Sequence, residues 1–216
     1  MILKDKVVIV SGIGPGLGQE LAFGAAEEGA KVVLAARTAS KLKEVKDTIK
    51  SKGGEAISIP TDITSLSSCK HVIDETFRKF GKLDCLINSA YRPGNFTEFD
   101  KGDLEDWKET MNTNYFGTMQ LTLEAVKQMK LQKFGSIVMI NSLITKKPLQ
   151  TQGGYAASKG ALAASTKILA KELGPFGIRV NAVYMGWMWG PPVETYVKET
   201  AKAMNIDTET IIKGIT

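Results

Sequence analysis

Histidine and cysteine are scarce in this chain of 216 residues, which contains one histidine and two cysteines. The single histidine, His71, excludes a metal site built from several histidines. Cys69 lies in a helix-like stretch and Cys85 in an apolar strand-like run, so we interpret both as reduced filling residues rather than as a disulfide or metal pair. No apolar run approaches the ~20 residues that a membrane span needs. We therefore expect neither a bound metal nor a membrane partner.

A signal peptide and a nucleic-acid-binding stripe are also not expected. The first apolar stretch, Val7 to Val10, starts almost at the N-terminus, which leaves no room for a leader and predicts a cytoplasmic protein. The net charge is +5, but the basic residues are interleaved with acidic ones, which is typical of a solvated surface. The densest basic group falls in one predicted surface helix and comprises Lys41, Lys43, Lys46, Lys50 and Lys52.

Short runs rich in Val, Ile and Leu alternate with longer segments of helical periodicity. The predicted strands cover residues 6–11, 31–36, 55–59, 83–88, 135–141 and 178–184. The predicted helices cover residues 17–29, 39–52, 66–80, 103–132 and 153–173. This alternation predicts an α/β fold, a three-layer, doubly wound parallel sheet of the Rossmann type. No internal repeat or linker marks a second domain, so we expect residues 1–216 to form a single domain.

Residues 186–216 differ in character from the rest of the chain. Apolar residues follow Pro191 at helical spacing, which predicts a lid on the substrate side of the sheet; they are Val193, Tyr196, Val197, Ala201 and Met204. Trp187, Met188 and Trp189 follow the sixth predicted strand. Either they form an apolar substrate wall or they pack the terminal segment, and the sequence leaves both interpretations open.

A glycine-rich segment joins the first predicted strand to the first predicted helix. Glycine permits a tight turn and close backbone approach, and a helix N-terminus offers unpaired N–H groups and a positive dipole end to a pyrophosphate. The strand, turn and helix context therefore favours a dinucleotide-binding loop over a plain turn. Its predicted contacts with the dinucleotide are Gly12, Gly14, Pro15, Gly16, Leu17 and Gly18.

The end of the second predicted strand concerns the choice of dinucleotide. It reads Leu34-Ala35-Ala36-Arg37-Thr38 and has no acid where an NAD-binding unit usually holds the ribose diol. Arg37 could instead pair with a 2′-phosphate, although a surface arginine at the start of a helix is the alternative. The sequence thus predicts NADP(H) in preference to NAD(H).

Polar residues also follow the third and fourth predicted strands. Asp62 and Ile63 come after the third, and the segment Asn88-Ser89-Ala90 ends the fourth and continues beyond it. Each could be a helix cap or a turn residue on its own. At the carboxyl edge of a parallel sheet, together with the glycine loop, they favour a nucleotide crevice.

Ser142, Tyr155 and Lys159 are the residues most informative about chemistry. Tyr155 and Lys159 are four apart in a helical stretch, so their side chains leave one face and the ammonium can stabilise a tyrosinate. A free phenol with a pKa of ~10 is a poor base at neutral pH, and a neighbouring cation is the physical remedy. Ser142 follows the preceding strand and supplies a hydroxyl where a substrate oxygen could bind. The sequence therefore indicates acid/base chemistry at Tyr155.

The chain resembles the short-chain dehydrogenase/reductases over nearly its whole length. The resemblance rests on motifs that occur in the family's order: Ser11 to Gly18, Asp62, Asn88 to Ala90, Asn114, Ser142, Tyr155, Lys159 and Asn181 to Gly186. It implies hydride transfer between NADP(H) and a carbonyl or secondary alcohol substrate, with Tyr155 as general acid/base. It also implies a homotetramer or homodimer. The implied residues are a catalytic tetrad of Asn114, Ser142, Tyr155 and Lys159, an adenine contact from Asp62, and further cofactor contacts at Ile63, Gly186 and Met188.

Several positions depart from the family pattern. Tyr91 stands where glycine is usual, and we expect it to reshape the substrate side of the pocket. Met185 replaces a proline, and Gly190 stands where a threonine often contacts the nicotinamide amide. Family members continue through a further helix and a last strand, so we expect a sheet that lacks its usual C-terminal strand in a chain that stops at Thr216. A non-catalytic dinucleotide sensor or scaffold is the alternative function.

Overall fold

The computed structural model of the chain describes residues 1–215, without the side chains of Pro191 and Pro192. These residues form two compact units, Met1–Tyr184 and a second unit that begins at Met185. The second unit nearly coincides with the segment that the sequence sets apart, and its lid role stays a prediction.

The order of strands and helices follows the predicted alternation. The strands are β1 Val7–Ser11, β2 Lys31–Ala36, β3 Glu55–Pro60, β4 Cys85–Asn88, β5 Gly135–Ser142 and β6 Ile178–Met185. The helices are α1 Leu17–Glu27, α2 Ala39–Ser51, α3 Leu66–Phe80, α4 Leu104–Met111, α5 Thr118–Gln132, α6 Gly153–Leu173, α7 Pro191–Met204 and α8 Thr208–Ile215. Most predicted bounds agree with these, and the others differ by one or two residues, as expected where element ends fray.

The six strands form one sheet in the order β3-β2-β1-β4-β5-β6. The pairs β1 with β2, β1 with β4, β2 with β3 and β4 with β5 are parallel. The strand order reverses between β1 and β4, so the segments that follow these two strands open a crevice at the carboxyl edge. The prediction of a Rossmann-type parallel sheet is confirmed.

The alternation of β1 side chains divides the core into two layers. Val7 and Ile9 pack with apolar residues of α3, α5 and α6, whereas Val8 and Val10 pack with those of α1 and α2. All four β1 side chains are buried, as expected for a central strand covered on both faces. The predicted three-layer arrangement follows directly, and it holds the end of β1 fixed.

The prediction of one helix over residues 103–132 is wrong in its middle. A π-helical turn, Asn112–Gly117, separates α4 from α5. Asn114 lies in this turn and is fully buried, and its amide bonds the backbone of Arg92 and the hydroxyl of Ser158. Periodicity along a segment cannot show that such tertiary hydrogen bonds compete with the regular helical pattern, and π-helical turns often mark functional sites.

Candidate active site

The glycine loop between β1 and α1 packs tightly on one side and is open on the other. A Cβ atom at Gly12, whose φ is 91°, would overlap the backbone of Ala90, and one at Gly18 would overlap the carbonyl of Gly12. A Cβ atom at Gly14 or Gly16 would meet no atom of the described chain within 4 Å. The tight contacts fix the loop against the segment after β4, and the open glycines leave room for a ligand.

The start of α1 suits an anionic ligand. Gly16 is its N-cap and provides no side-chain hydrogen bond to the first turn, and Leu17 is the first helical residue. The first N–H groups of a helix lack partners within the helix and carry the positive end of its dipole. A pyrophosphate in the open side of the loop, beside Gly14 and Pro15, would accept from these groups. The loop therefore fits the dinucleotide that the sequence predicts.

The residues that follow β2 and β3 come near each other. Arg37 is exposed directly after β2, and its charge helps to lower the pKa of the Asp62 carboxyl. The hydrogen bonds from Thr64 contribute most to that lowering, while burial opposes it. Oδ1 of Asp62 accepts from the backbone N–H of Thr64 at 2.9 Å and from its hydroxyl at 2.7 Å. Asp62 is thus an ionised turn residue beside Arg37.

Ile63 and the segment after β4 make contacts within the protein. The carbonyl of Ile63 accepts from Gln120 Nε2 at 3.3 Å. Asn88 Nδ2 donates to the Thr122 hydroxyl at 3.0 Å, and the Ser89 N–H donates to the Ser11 carbonyl at 2.9 Å. These bonds fix the crevice floor, so the side chain of Asn88 braces the site from within the core.

Ser142, Tyr155 and Lys159 lie together, as the sequence predicts. Ser142 ends β5, and its hydroxyl accepts from the Ile144 N–H at 3.2 Å. Tyr155 is half-buried on the first turns of α6. Lys159, one turn later, is buried, and its Nζ lies 5.7 Å from the centroid of the Tyr155 ring. The ammonium donates to the Ile140 carbonyl at 2.7 Å.

The pKa of Tyr155 is shifted upward, whereas the sequence predicts that the cation beside it lowers this pKa. Burial raises the pKa above its ordinary value of 10.0, a hydrogen bond with Ser142 lowers it, and the Tyr91 phenol raises it. The net shift is upward because removal of water disfavours the phenolate. In the free protein Tyr155 therefore keeps its proton at neutral pH and is ready to donate it.

Burial also lowers the pKa of Lys159, from 10.5 to about 8. Desolvation penalises the ammonium, and within the described residues the carbonyl of Ile140 is a neutral acceptor that compensates in part. The charge of Lys159 therefore changes within a pH range in which the protein can be studied.

We expect the free energy of unfolding of the wild type to rise between pH 8 and 9.5, relative to the Lys159→Met variant. Above pH 8 the folded protein releases a proton that the unfolded chain holds until about pH 10.5, so stability rises with pH. The expected difference is about 1.5 kcal/mol over this interval. Urea unfolding of both proteins across the range measures it, and the variant cancels the contribution of other groups. Parallel pH profiles would contradict a lowered Lys159 pKa.

Asn114 links two segments of the site through hydrogen bonds that the sequence does not reveal. Its Oδ1 accepts from the Arg92 N–H at 2.6 Å, and its Nδ2 donates to the Arg92 carbonyl at 2.9 Å. Nδ2 also donates to the Ser158 hydroxyl at 3.0 Å, on the helix that carries Tyr155. Both amide protons are thus engaged by protein, and Asn114 joins the segment after β4 to α6.

Arg92 is a residue of the site that sequence reasoning missed. Its guanidinium contacts Asp106 Oδ1 at 2.5 Å, Glu109 Oε2 at 2.8 Å and the Thr110 hydroxyl at 2.9 Å, all on α4. No motif marks this arginine, and only its position beside the unusual Tyr91 could have drawn attention to it. The network fixes the backbone next to Tyr91.

The remaining predicted contacts, Gly186 and Met188, belong to the second unit and stay predictions. Within that unit the rings of Trp187 and Tyr196 pack with centroids 4.9 Å apart. Among residues 1–215, no group of three or more His, Cys, Asp or Glu side chains could hold a metal ion. None of the described helices is long and apolar enough to cross a membrane.

Comparison with known proteins begins with the short chain dehydrogenase family, whose model matches residues 6–202. The NADPH-dependent aldehyde reductase 1, chloroplastic, of Arabidopsis thaliana is 36% identical, over 98% of this chain and 75% of its own length. The 11-beta-hydroxysteroid dehydrogenase-like 2 of the same plant is 37% identical, over 86% of this chain and 60% of its own. The chain thus spans about three fifths of the length of the latter relative.

Solved structures agree with this relationship. A structure of NAD⁺-bound xylitol dehydrogenase superposes with a TM-score of 0.89 at 32% identity, covering 94% of this chain and 78% of that one. An F189W actinorhodin polyketide ketoreductase with NADPH superposes with a TM-score of 0.87 at 29% identity, covering 96% of this chain and 80% of that one. The two neighbours hold different dinucleotides. The family-model match over residues 6–202, together with relatives that are more than 30% identical, shows that the chain belongs to the short chain dehydrogenase family.

Proposed function

We propose that the protein transfers a hydride between NADP(H) and a carbonyl or secondary alcohol substrate, with Tyr155 as general acid/base. The observation that carries the proposal is the position of the Tyr155 phenol, which bonds Ser142 and whose ring centroid lies 5.7 Å from Lys159 Nζ. These residues lie in the unit that holds the open glycine loop. Relatives named as aldehyde reductases and hydroxysteroid dehydrogenase-like proteins support the same reaction class.

The roles of the chain's residues follow from their positions. A bound nicotinamide would supply or accept the hydride. The Ser142 hydroxyl orients the substrate oxygen, and Tyr155 donates its proton to that oxygen during reduction or takes one during oxidation. Lys159 places a positive charge near the phenol that limits the cost of a transient phenolate. Asn114 holds the position of α6 through Ser158.

Preference for NADP(H) is supported by the end of β2. Ala36 offers no carboxylate to the ribose diol, and the exposed Arg37 can make charge-assisted hydrogen bonds with a 2′-phosphate. Thr38 is the N-cap of α2 without a side-chain capping bond, so its hydroxyl is a second donor for the phosphate. The charge of Arg37 helps to lower the pKa of the Asp62 carboxyl, so the guanidinium is near the residue that follows β3.

The proposal includes a homodimer or homotetramer. An apolar groove of about 440 Å³ lies on α4, the π-helical turn and α6, and its lining includes Leu104, Trp107, Met111 and Phe116. Exposed apolar patches of this kind favour association with a second copy. Light scattering on the purified chain measures the mass of the particle in solution. A monomer at micromolar concentration would contradict the proposed homodimer or homotetramer.

A carbonyl screen tests the reaction directly. The purified protein is mixed with NADPH or NADH and a panel of aldehydes and ketones, and loss of absorbance of the reduced cofactor is followed. We expect reduction of at least one substrate, faster with NADPH than with NADH. The reverse reaction is tested with the corresponding alcohols and NADP⁺ or NAD⁺. Dinucleotide binding without turnover of any carbonyl or alcohol in the two panels would overturn the proposed activity. A pure sensor or scaffold has no observation in its favour.

A further inference from the structure

An exposed aromatic side chain lies beside the proposed acid/base residue. The Tyr91 ring is 58% exposed, and its centroid lies 6.3 Å from that of Tyr155, with the ring planes at 65°. Tyr91 immediately follows Ala90, the residue that meets Gly12 of the nucleotide loop. A large apolar surface thus remains open at the junction of the nucleotide loop and the reactive phenol.

The segment that carries Tyr91 is held by hydrogen bonds at Arg92 and at Asn95, both of which follow it. Asn114 bonds the N–H and the carbonyl of Arg92, and the Arg92 guanidinium is held by Asp106. Asp106 also accepts from the backbone N–H of Asn95 at 2.9 Å through its second oxygen. A side chain on so constrained a backbone loses little conformational entropy when a ligand packs against it. Hydrogen bonds at Arg92 and Asn95 therefore hold the backbone from which the exposed Tyr91 ring projects.

A substrate that uses the Tyr155 hydroxyl must pass close to the Tyr91 ring. When the phenol bonds a carbonyl oxygen, the substituents of the carbonyl carbon lie a few ångströms from the Tyr155 ring. The neighbouring ring of Tyr91 is then within packing range of one substituent. Aromatic surfaces gain most from flat partners that stack with an offset or meet them edge to face.

We propose that Tyr91 is a specificity-determining residue that forms a wall of the substrate site and selects carbonyl compounds with a flat aromatic substituent. The inference rests on the proposed function, because it takes Tyr155 as the group that bonds the substrate oxygen. It assigns the preferred substrates to the aryl ketone class and to the corresponding secondary alcohols.

Binding measurements test the wall without relying on turnover. Acetophenone and 1-cyclohexylethanone have the same carbon skeleton, but only the first is flat. Their dissociation constants are measured by ligand-observed NMR with the NADP⁺-saturated protein, in which a ketone cannot be reduced, for wild type, Tyr91→Phe, Tyr91→Ala and Phe99→Ala. Phe99 is the matched control, since it is an exposed aromatic residue that contacts Trp107.

We expect wild type and Tyr91→Phe to favour acetophenone, and Tyr91→Ala to lose about three- to tenfold in affinity for it. Affinity for 1-cyclohexylethanone changes less, and Phe99→Ala behaves as wild type. Equal affinities for the two ketones in the wild type, no detectable binding of acetophenone, or an equal loss for both in Tyr91→Ala would overturn the proposal. An intact binding preference with no turnover in the carbonyl screen would instead refute the proposed activity and leave the wall in place.

Discussion

Replacing Tyr155 by phenylalanine is expected to lower turnover by at least ~100-fold, the typical effect of losing a positioned proton donor. The substitution removes the hydroxyl and keeps the ring that packs against Tyr91. The glycine loop between β1 and α1 is untouched, so affinity for NADPH should stay nearly unchanged. A lower kcat with unaltered cofactor binding would separate a chemical role from a structural one.

Tyr115→Phe provides the matched control. Tyr115 lies in the π-helical turn, and its hydroxyl bonds the Ser165 hydroxyl at 2.9 Å. Loss of that bond removes one partly buried contact without removing a proton donor from the site, so turnover should remain within about twofold of wild type. If Tyr155→Phe retained more than half of wild-type activity on a substrate of the enzyme, the assignment of Tyr155 as acid/base would be wrong.

The second large effect concerns the dinucleotide. Wild-type protein is expected to bind NADPH about ten- to a hundredfold more tightly than NADH, because charge-assisted bonds to a 2′-phosphate contribute roughly 1.5–3 kcal/mol. The double variant Ala36→Asp, Arg37→Val should reverse the order. Its carboxylate accepts from the ribose hydroxyls and repels the phosphate. Fluorescence titration of both cofactors against both proteins measures the swing.

Arg78→Val is the control for charge alone. Arg78 is in the last turn of α3, far along the helix from the carboxyl edge of the sheet, and it pairs with Glu75. Its removal lowers the net charge as Arg37→Val does, so a general electrostatic effect would weaken NADPH binding in both. Wild-type affinity for NADH equal to or tighter than that for NADPH would refute the assignment of Arg37.

The sequence was sufficient for the fold and for the grouping of Ser142, Tyr155 and Lys159, whose catalytic roles stay predictions. The fold could be predicted from local patterns, namely the alternation of strand and helix periods and the glycines directly after β1. The strands are recognisable as apolar runs because both faces of the sheet are covered. Tyr155 and Lys159 could be paired from spacing alone, since four residues return to the same helix face. Ser142 follows from its place at the end of β5.

Other features depend on distant parts of the chain and had no local signal. The π-helical turn contains Asn114, which bonds Arg92 and Ser158, and neither partner is near it in sequence. The upward shift of the Tyr155 pKa comes from burial, which spacing does not report. The role of Arg92 likewise depends on α4, a helix that follows it after a long loop.

The tight contact between Gly12 and Ala90 has a consequence for the order of folding. The glycine loop borders β1, but its shape depends on backbone that follows β4. The segment β1-α1-β2 therefore cannot complete the loop alone. Contacts of such high sequence separation carry a loop-closure cost and tend to form late. Competence to bind dinucleotide should therefore arise only after β4 has joined β1, and an early intermediate with β1 and β2 paired would lack it. Pulse-labelling of amide hydrogens during refolding can follow the two events separately.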